Sequence, residues 1–444
     1  MADIGFISLG CAKNQVDCER MMYRLQEAGH TIRGDIVGVD AVIINTCGFI
    51  DSAKSEAIEH ILQTAALKQE GLVGKILVTG CLSQRYQQEI LQEMPEVDGV
   101  LGTGSYTRVV EAVEQILEGS QVADFGSIDA QEEETGRVVT TPEHYAYIKI
   151  SEGCDNRCSY CVIPSLRGKY RSRKMEDVLY EANLLAESGV KELIVVAQDT
   201  CRYGTDLPGN KRLLSALLKE LCKIEKLHWI RVHYLYPDEI DDELIDTIAN
   251  EPKIVKYLDI PIQHCNDKIL TLMNRRGNGA FLRELFPKLR RRIPGLVIRT
   301  SVITGLPGEG EEEFRELCEF LKEQRLERTG AFPFSPEEGT PAAAMEYPDE
   351  EIALSRAQMV ESIQSRIMDD YNQAMMGKTL AVLVDGFDEE AEQFYGRTYA
   401  DSPEIDGRVW IATEEALAEG SFVQVCIDGF VDGDLSGYIV EESL

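Results

Sequence analysis

Three cysteines fall within one short stretch, Cys154, Cys158 and Cys161, in the run EGCDNRCSYC. Their spacing is C-x3-C-x2-C. Soft thiolate ligands select iron–sulfur clusters or zinc. Three thiolates can hold three corners of a [4Fe-4S] cube and leave the fourth iron without a protein ligand, open to a substrate. Zinc and inert thiols are the alternatives. Structural zinc usually shows a second close Cys pair or a Cys/His pair downstream. No second close pair follows here, and the nearest downstream histidine is His228. A disulfide framework is not expected, because the chain is long and opens MADIGFISLGC, with no secretory signal.

Other elements must position such a loop. In the first third, three apolar runs each lead to a cysteine: IGFISLG to Cys11, AVIINT to Cys47 and KILVTG to Cys81. Separations of 36 and 34 residues suit strand–helix–strand units. Helical patterns follow over residues 15–28, 52–68 and 83–93. Continuous apolar strands alternating with helices predict a doubly wound parallel sheet. Ligands of such sheets gather outside the carboxyl ends of the strands, where all three cysteines fall. They hold a second metal cluster, or they are three separately buried thiols, since free cysteine is among the most buried residue types. Recurrence at the same place in three successive units favours the cluster. Residues 1–118 form this domain, and the polar, acidic residues 119–143 read as a linker.

Residues 144–376 alternate again. Strand-like runs cover 145–150, 192–197, 228–235, 256–260, 296–303 and 328–334, with helical patterns at 174–188, 211–225, 280–293 and 311–324. Six units fall short of the eight that close a full barrel. A laterally open (β/α)6 partial TIM barrel is predicted, with room for a macromolecular substrate to reach inside. The cysteine loop follows the first strand, on the carboxyl-end face where barrel enzymes keep their active sites. AQDTCRYG, DIPIQHCND and TGLPGEGEEEF share that face. The Gly/Pro turn of the last could offer backbone amides to a polar ligand, although most such turns are only turns. Cys201 and Cys265 read as structural thiols. Arg167, Lys169, Arg171 and Arg173 either offset cluster or carboxylate charge or form a solvated basic patch.

From residue 377 the texture changes to five short strands with Gly and Asp turns, a small OB-like β-barrel over residues 377–444. Folds of this kind often bind RNA. This one carries 3 Lys/Arg against 16 Asp/Glu, which argues against a phosphate backbone and for a basic protein partner. The whole chain has a net charge of −32, which by itself can serve solubility alone. No apolar run reaches membrane-span length, so no membrane role is expected. Twelve cysteines without a secretory segment point to a reducing cytoplasm and to metal use.

The residues together resemble the radical S-adenosylmethionine (SAM) methylthiotransferase family over almost the whole chain. SLGCAKNQVDCERM, INTCGFI and VTGC resemble its amino-terminal domain, ISEGCDNRCSYCVIPSLRG its cluster loop, and the tail a TRAM domain. Six cysteines in the right order make the match specific. AQDTCRYGTDL, RVHYLYP, YLDIPIQH and FSPEEGTPAA resemble the branch acting on an aspartate of small-subunit ribosomal protein S-twelve. Departures at Lys174, Leu306 and Gly310 leave the cluster ligands untouched.

The resemblance implies two [4Fe-4S] clusters. Cys154, Cys158 and Cys161 would hold the one that binds SAM. Its reduction would give a 5′-deoxyadenosyl radical that takes hydrogen from the aspartate β-carbon. Cys11, Cys47 and Cys81 would hold the auxiliary cluster that supplies or carries sulfur, and a second SAM would give the methyl group. Gln198, Gly305, Pro307 and Gly308 are candidate SAM contacts, and no catalytic residue is expected beyond the cluster ligands. An electron donor such as flavodoxin or ferredoxin and a monomeric state are expected, and nucleic acid is not expected as direct substrate. Methylthiolation of a tRNA adenosine is the rival within the family, marked by a basic tail that is absent here. A non-enzymatic iron–sulfur carrier is the rival from another class.

Overall fold

The computed structural model describes residues 1–131 and 133–440. The first unit runs β1 (Asp3–Ser8), α1 (Ala12–Glu27), β2 (Thr31–Arg33), β3 (Val39–Thr46), α2 (Asp51–Gln69), β4 (Val73–Gly80), α3 (Cys81–Tyr86), α4 (Glu89–Glu93), β5 (Gly99–Leu101), α5 (Val109–Leu117) and β6 (Val122–Asp124). Its strands lie in the order β2-β1-β3-β4-β5-β6, all parallel. Apolar strands such as β3 need cover on both faces. Met21 and Leu25 of α1 with Val113 and Ile116 of α5 supply one side, and Ala57, Ile61 and Ala65 of α2 the other. The winding reverses between β1 and β3, which opens a crevice at their carboxyl ends. Residues 83–93, read from sequence as one helix, break into α3 and α4 because Gln87 turns to φ +48. Within the stretch read as a linker, β6 adds the sheet's edge strand.

The second unit runs β7 (Tyr145–Lys149), β8 (Ser151–Glu152), α6 (Ile163–Arg167), β9 (Arg171–Ser172), α7 (Met175–Glu187), β10 (Glu192–Val196), α8 (Leu214–Cys222), β11 (Trp229–Val232), α9 (Asp242–Asn250), β12 (Ile254–Asp259), α10 (Asp267–Leu272), α11 (Gly279–Arg292), β13 (Val297–Thr304), α12 (Glu311–Gln324), β14 (Arg328–Pro333) and α13 (Glu350–Gln373). Six parallel strands, β14-β13-β12-β11-β10-β7, make an open sheet with free edges at β7 and β14. Side chains alternate along each strand. Ala146 and Ile148 of β7, Leu193 and Val195 of β10 and Leu258 of β12 join the core shared with the outer helices. Tyr145, Tyr147, Ile194 and Val196 belong to a separate cluster with Val16 of α1.

The third unit is a closed barrel of β15 (Thr379–Asp388), β16 (Gln393–Arg397), β17 (Val409–Ala412), β18 (Phe422–Val431) and β19 (Asp434–Ile439), in the order β15-β16-β17-β19-β18. Its β16–β17 connection plugs the amino-terminal end of the open sheet. Asp401 meets Arg328 at 2.9 Å, Ser402 meets His233 at 3.0 Å and Asp406 accepts from Tyr257 at 2.6 Å. Glu192, wholly buried, holds Arg231 at 2.7 Å and Arg397 at 2.6 Å. A buried charge left without its partner costs about 3–5 kcal/mol, so this interface tolerates few single changes. Asp385, Asp401 and Asp406 are therefore spent on the barrel and are not available to a partner.

The lateral gap anticipated from sequence is spanned by the first unit. On the β7 side α1 packs on the sheet, and Asp17 pairs with Lys149. On the β14 side Glu337 receives Lys54 at 3.0 Å and Arg85 at 2.6 Å. No helix among the described residues is long and apolar enough to cross a membrane.

Candidate metal centres and SAM site

The close triad sits in the loop that leaves β7. The short pair β8–β9 closes its base, with Glu152 opposite Arg171. Gly153 turns at φ +80, and a Cβ there would lie 2.1 Å from the Lys169 carbonyl, so only glycine lets the loop double back. The Cys154 N–H then donates to Gly168 O at 3.1 Å, and Cys161 N–H to Cys158 O at 3.1 Å. Ser159 anchors the loop to the end of α10, donating from N–H to Met273 O and from Oγ to Leu272 O. Burial pushes the Cys154 thiol up to about 11 and the Cys161 thiol up to about 12. Metal binding would take these groups as thiolates and release their protons. The Cys158 sulfur has Arg275 Nη1 at 3.8 Å and the Tyr236 hydroxyl at 3.9 Å.

Cys11, Cys47 and Cys81 come to one place from three strand ends. Cys11 and Cys47 flank the crevice between β1 and β3, and Cys81 opens α3 directly after β4. Gly10, at φ +95, lies so near Cys47 that a Cβ on it would sit 2.8 Å from the Cys47 Cβ. Asn14 ties the strand ends together, donating to Leu9 O at 2.7 Å and Thr46 O at 3.1 Å. Burial drives Cys47 up to about 11 and raises Cys81, the latter opposed by the Arg167 charge. Cys11 touches solvent, yet enough protein surrounds it that burial works against its ionisation. The Lys13 and Arg167 charges, with the backbone N–H groups of Asn14 and Lys13, outweigh burial and hold the thiol below its ordinary value.

A buried ion network separates and joins the two sets. Arg167 donates to Asp17 at 2.5 Å, to Glu152 at 3.2 Å, to Asn14 at 2.9 Å and to the Cys81 sulfur at 3.4 Å. Lys149 bridges Asp17 and Glu152. Opposing charges at hydrogen-bond distance hold Glu152 well below the usual carboxylate range despite its burial. The four basic residues after the cluster loop therefore divide. Arg167 and Arg173 are buried against carboxylates, Arg171 is half-buried, and Lys169 is solvated.

Of the candidate SAM residues, Gln198 lies two residues past the end of β10 and donates to Glu152 at 2.5 Å. Its Oε1 and the neighbouring Asp199 Oδ1 are buried acceptors without partners. Burial pushes the Asp199 carboxyl up to about 6, although Asn156 of the cluster loop donates to its other oxygen at 2.6 Å. Such orphaned acceptors fit the ammonium and hydroxyl donors of SAM. The Gly305–Gly308 turn is more committed. The Gly305 N–H already donates to Glu309 at 2.9 Å, and a Cβ on Gly305 would lie 2.4 Å from that of Ala353 on α13. Pro307 has no N–H, and Gly308 gives its carbonyl to Lys268 at 2.8 Å. Asp199 escaped the sequence reading. Its only signal was adjacency to Gln198 at a strand's carboxyl end.

Among the described residues no group of three His, Cys, Asp or Glu side chains converges on a single metal ion. A cube spaces its thiolates farther apart than one ion does, so two three-cysteine sets of this kind suit [4Fe-4S] clusters in their donor chemistry.

Known proteins agree with this layout. The description Radical SAM superfamily matches residues 148–321, Uncharacterized protein family UPF0004 residues 3–102 and TRAM domain residues 376–440. The ribosomal protein uS12 methylthiotransferase RimO of Caldanaerobacter subterraneus subsp. tengcongensis is 47% identical over 98% of this chain and 100% of its own. The RimO of Clostridioides difficile is 44% identical over 100% of both. Among solved structures, the radical SAM methyltransferase TsrM from Kitasatospora setae, with cobalamin and a [4Fe-4S] cluster bound, matches with a TM-score of 0.56. It covers 77% of this chain and 76% of that one at 15% identity, a likeness of fold. The chain belongs to the RimO family of ribosomal protein uS12 methylthiotransferases, within the radical SAM superfamily.

Proposed function

We propose that this protein methylthiolates ribosomal protein uS12, replacing a hydrogen on the β-carbon of an aspartate with a methylthio group. The observation that carries the reading is the pair of three-cysteine sets on either side of one buried ion network. They occur in a chain 44–47% identical to enzymes named for this reaction. Cys154, Cys158 and Cys161 hold one [4Fe-4S] cluster, and Cys11, Cys47 and Cys81 hold the other. When bound, the first cluster and SAM supply a radical able to take hydrogen from an unactivated C–H bond, the second cluster supplies or carries sulfur, and a second SAM supplies the methyl group.

The chain's own residues position and enclose. Glu152 fixes Gln198, whose unpartnered oxygen, with that of Asp199, is the acceptor offered to SAM in this reading. Gly305, Pro307 and Gly308 are the weaker candidates for SAM contact, and the first unit spans the gap, tied down at Glu337. A flavodoxin- or ferredoxin-like donor supplies electrons to a cytoplasmic monomer. The exposed acids of the third unit, among them Glu389, Glu390, Glu414 and Glu415, steer the basic substrate. They also disfavour tRNA. The test is mass spectrometry of uS12 from cells lacking the gene. Loss of one methylthio increment is expected. An unchanged uS12 with a tRNA adenosine left unmodified would overturn the reading.

A further inference from the structure

We infer that Arg167 is a positioning residue that sets the reduction potential of the cluster held by Cys11, Cys47 and Cys81, by aiming a guanidinium donor at the Cys81 sulfur. The inference rests on the assignment of those three cysteines to a cluster.

Arg167 is 4% exposed, and its side chain is fixed from several directions. Nη1 is taken by Asp17 and Glu152, and Nη2 by the Asn14 Oδ1 and the Cys81 sulfur. Asn14 cannot turn away, because its own amide hydrogens go to Leu9 O and Thr46 O. One Nη2 hydrogen is thereby committed to Asn14, and the other is left for sulfur. A planar fork can address four acceptors at once, which an ammonium on a flexible stem cannot.

Neutralising Asp17 and Glu152 would be reason enough for a cation here, but it would not require the sulfur contact. Lys149 already serves both carboxylates, so the quartet balances two cations against two anions. What Arg167 adds is direction. Hydrogen bonds and positive charge at cluster sulfurs stabilise the reduced, more negative state and raise its potential. At the other site the Asn156 N–H also reaches a sulfur, that of Cys154, at 3.4 Å, but it is a neutral backbone donor, and the charged donor there, Arg275, stands 3.8 Å from Cys158, farther than Arg167 from Cys81. Glu152, held by the same arginine, lies two residues before Cys154, so one side chain touches the surroundings of both centres.

The test uses the full chain with Cys154, Cys158 and Cys161 all changed to alanine, reconstituted anaerobically. About four irons per chain are expected to remain. Absence of iron would sink the cluster assignment and the inference with it. With iron present, redox titration reads the midpoint of the remaining cluster. Arg167→Gln should move it to more negative potential, and Asp17→Asn, which removes an opposing negative charge, to more positive potential. Arg167→Lys should stay nearer the unsubstituted value, and Arg173→Gln, a buried arginine paired with Glu134 and Glu181, should leave it unmoved. A role confined to folding would not give opposite shifts. If Arg167→Gln does not load, Asp17→Asn and Arg167→Lys still give the reading. Midpoints equal to the unsubstituted one, or shifted the same way by Asp17→Asn and Arg167→Gln, would overturn the inference while leaving the cluster assignment intact.

Discussion

One loop places Cys154, Cys158 and Cys161, whereas a whole sheet places Cys11, Cys47 and Cys81. In the loop, backbone bonds from Cys154 to Gly168 and from Cys161 to Cys158 set the spacing, and two bonds from Ser159 fasten it to α10. In the sheet, register does the same work, with Ser8 beside Asn45 and Thr46 beside Gly80. The loop can adjust locally around what it binds. The scattered set can move only if strands, helix starts and Asn14 move with it. The proposed roles match: a centre proposed to admit and release SAM suits the first design, and one proposed to keep a fixed relation to its neighbour suits the second.

Removing a ligand should break the comparison most severely. Cys158→Ala and Cys81→Ala are each expected to abolish turnover and remove about half of the iron, leaving the other centre loaded. Iron quantitation with turnover assays checks this. Next is the contact that holds the first unit across the open sheet. Glu337→Gln leaves Lys54 and Arg85 without their shared, nearly buried carboxylate. It should cost about 3–5 kcal/mol in denaturant unfolding.

Smaller effects sharpen the contrast. Gly153→Ala should impair the close centre and Gly10→Ala the scattered one, since each residue has positive φ and no room for a Cβ. Strain of this kind costs about 1–3 kcal/mol, and the iron lost should be the centre's own. The smallest change is expected from Glu389→Lys with Glu390→Lys in the third unit. KM for the ribosomal protein should rise by roughly several-fold over the unsubstituted value at low salt, and the difference should close at high salt, where screening weakens the attraction in both.

Much of this was legible in the chain because it is local. C-x3-C-x2-C lies within one loop, and each scattered cysteine lies within three residues of the end of an apolar strand. The six strands of the open sheet and the five of the barrel announce themselves by composition. What stayed hidden depends on pairs far apart in sequence. Arg167 read equally well as solvated, because its partners Asp17 and Asn14 lie about 150 residues earlier. The tail's acidity read as one reservoir, yet Asp401 and Asp406 turn inward to Arg328 and Tyr257. The sheet is open as expected, but that the first unit spans its gap stayed hidden, because nothing near Glu337 reveals that Lys54 and Arg85 meet it.

That last contact also bears on how the protein is made. Lys54 and Arg85 wait for a partner 283 and 252 residues downstream, so the bridge cannot form until most of the chain has left the ribosome. Pairings over such separations are slow to form. The first unit can fold early, with its three cysteines gathered. The second must collapse before Glu337 can dock, and the β16–β17 plug arrives last. The sheet can therefore bring Cys11, Cys47 and Cys81 together well before residue 337 settles between its two cations and ties the first unit to the second.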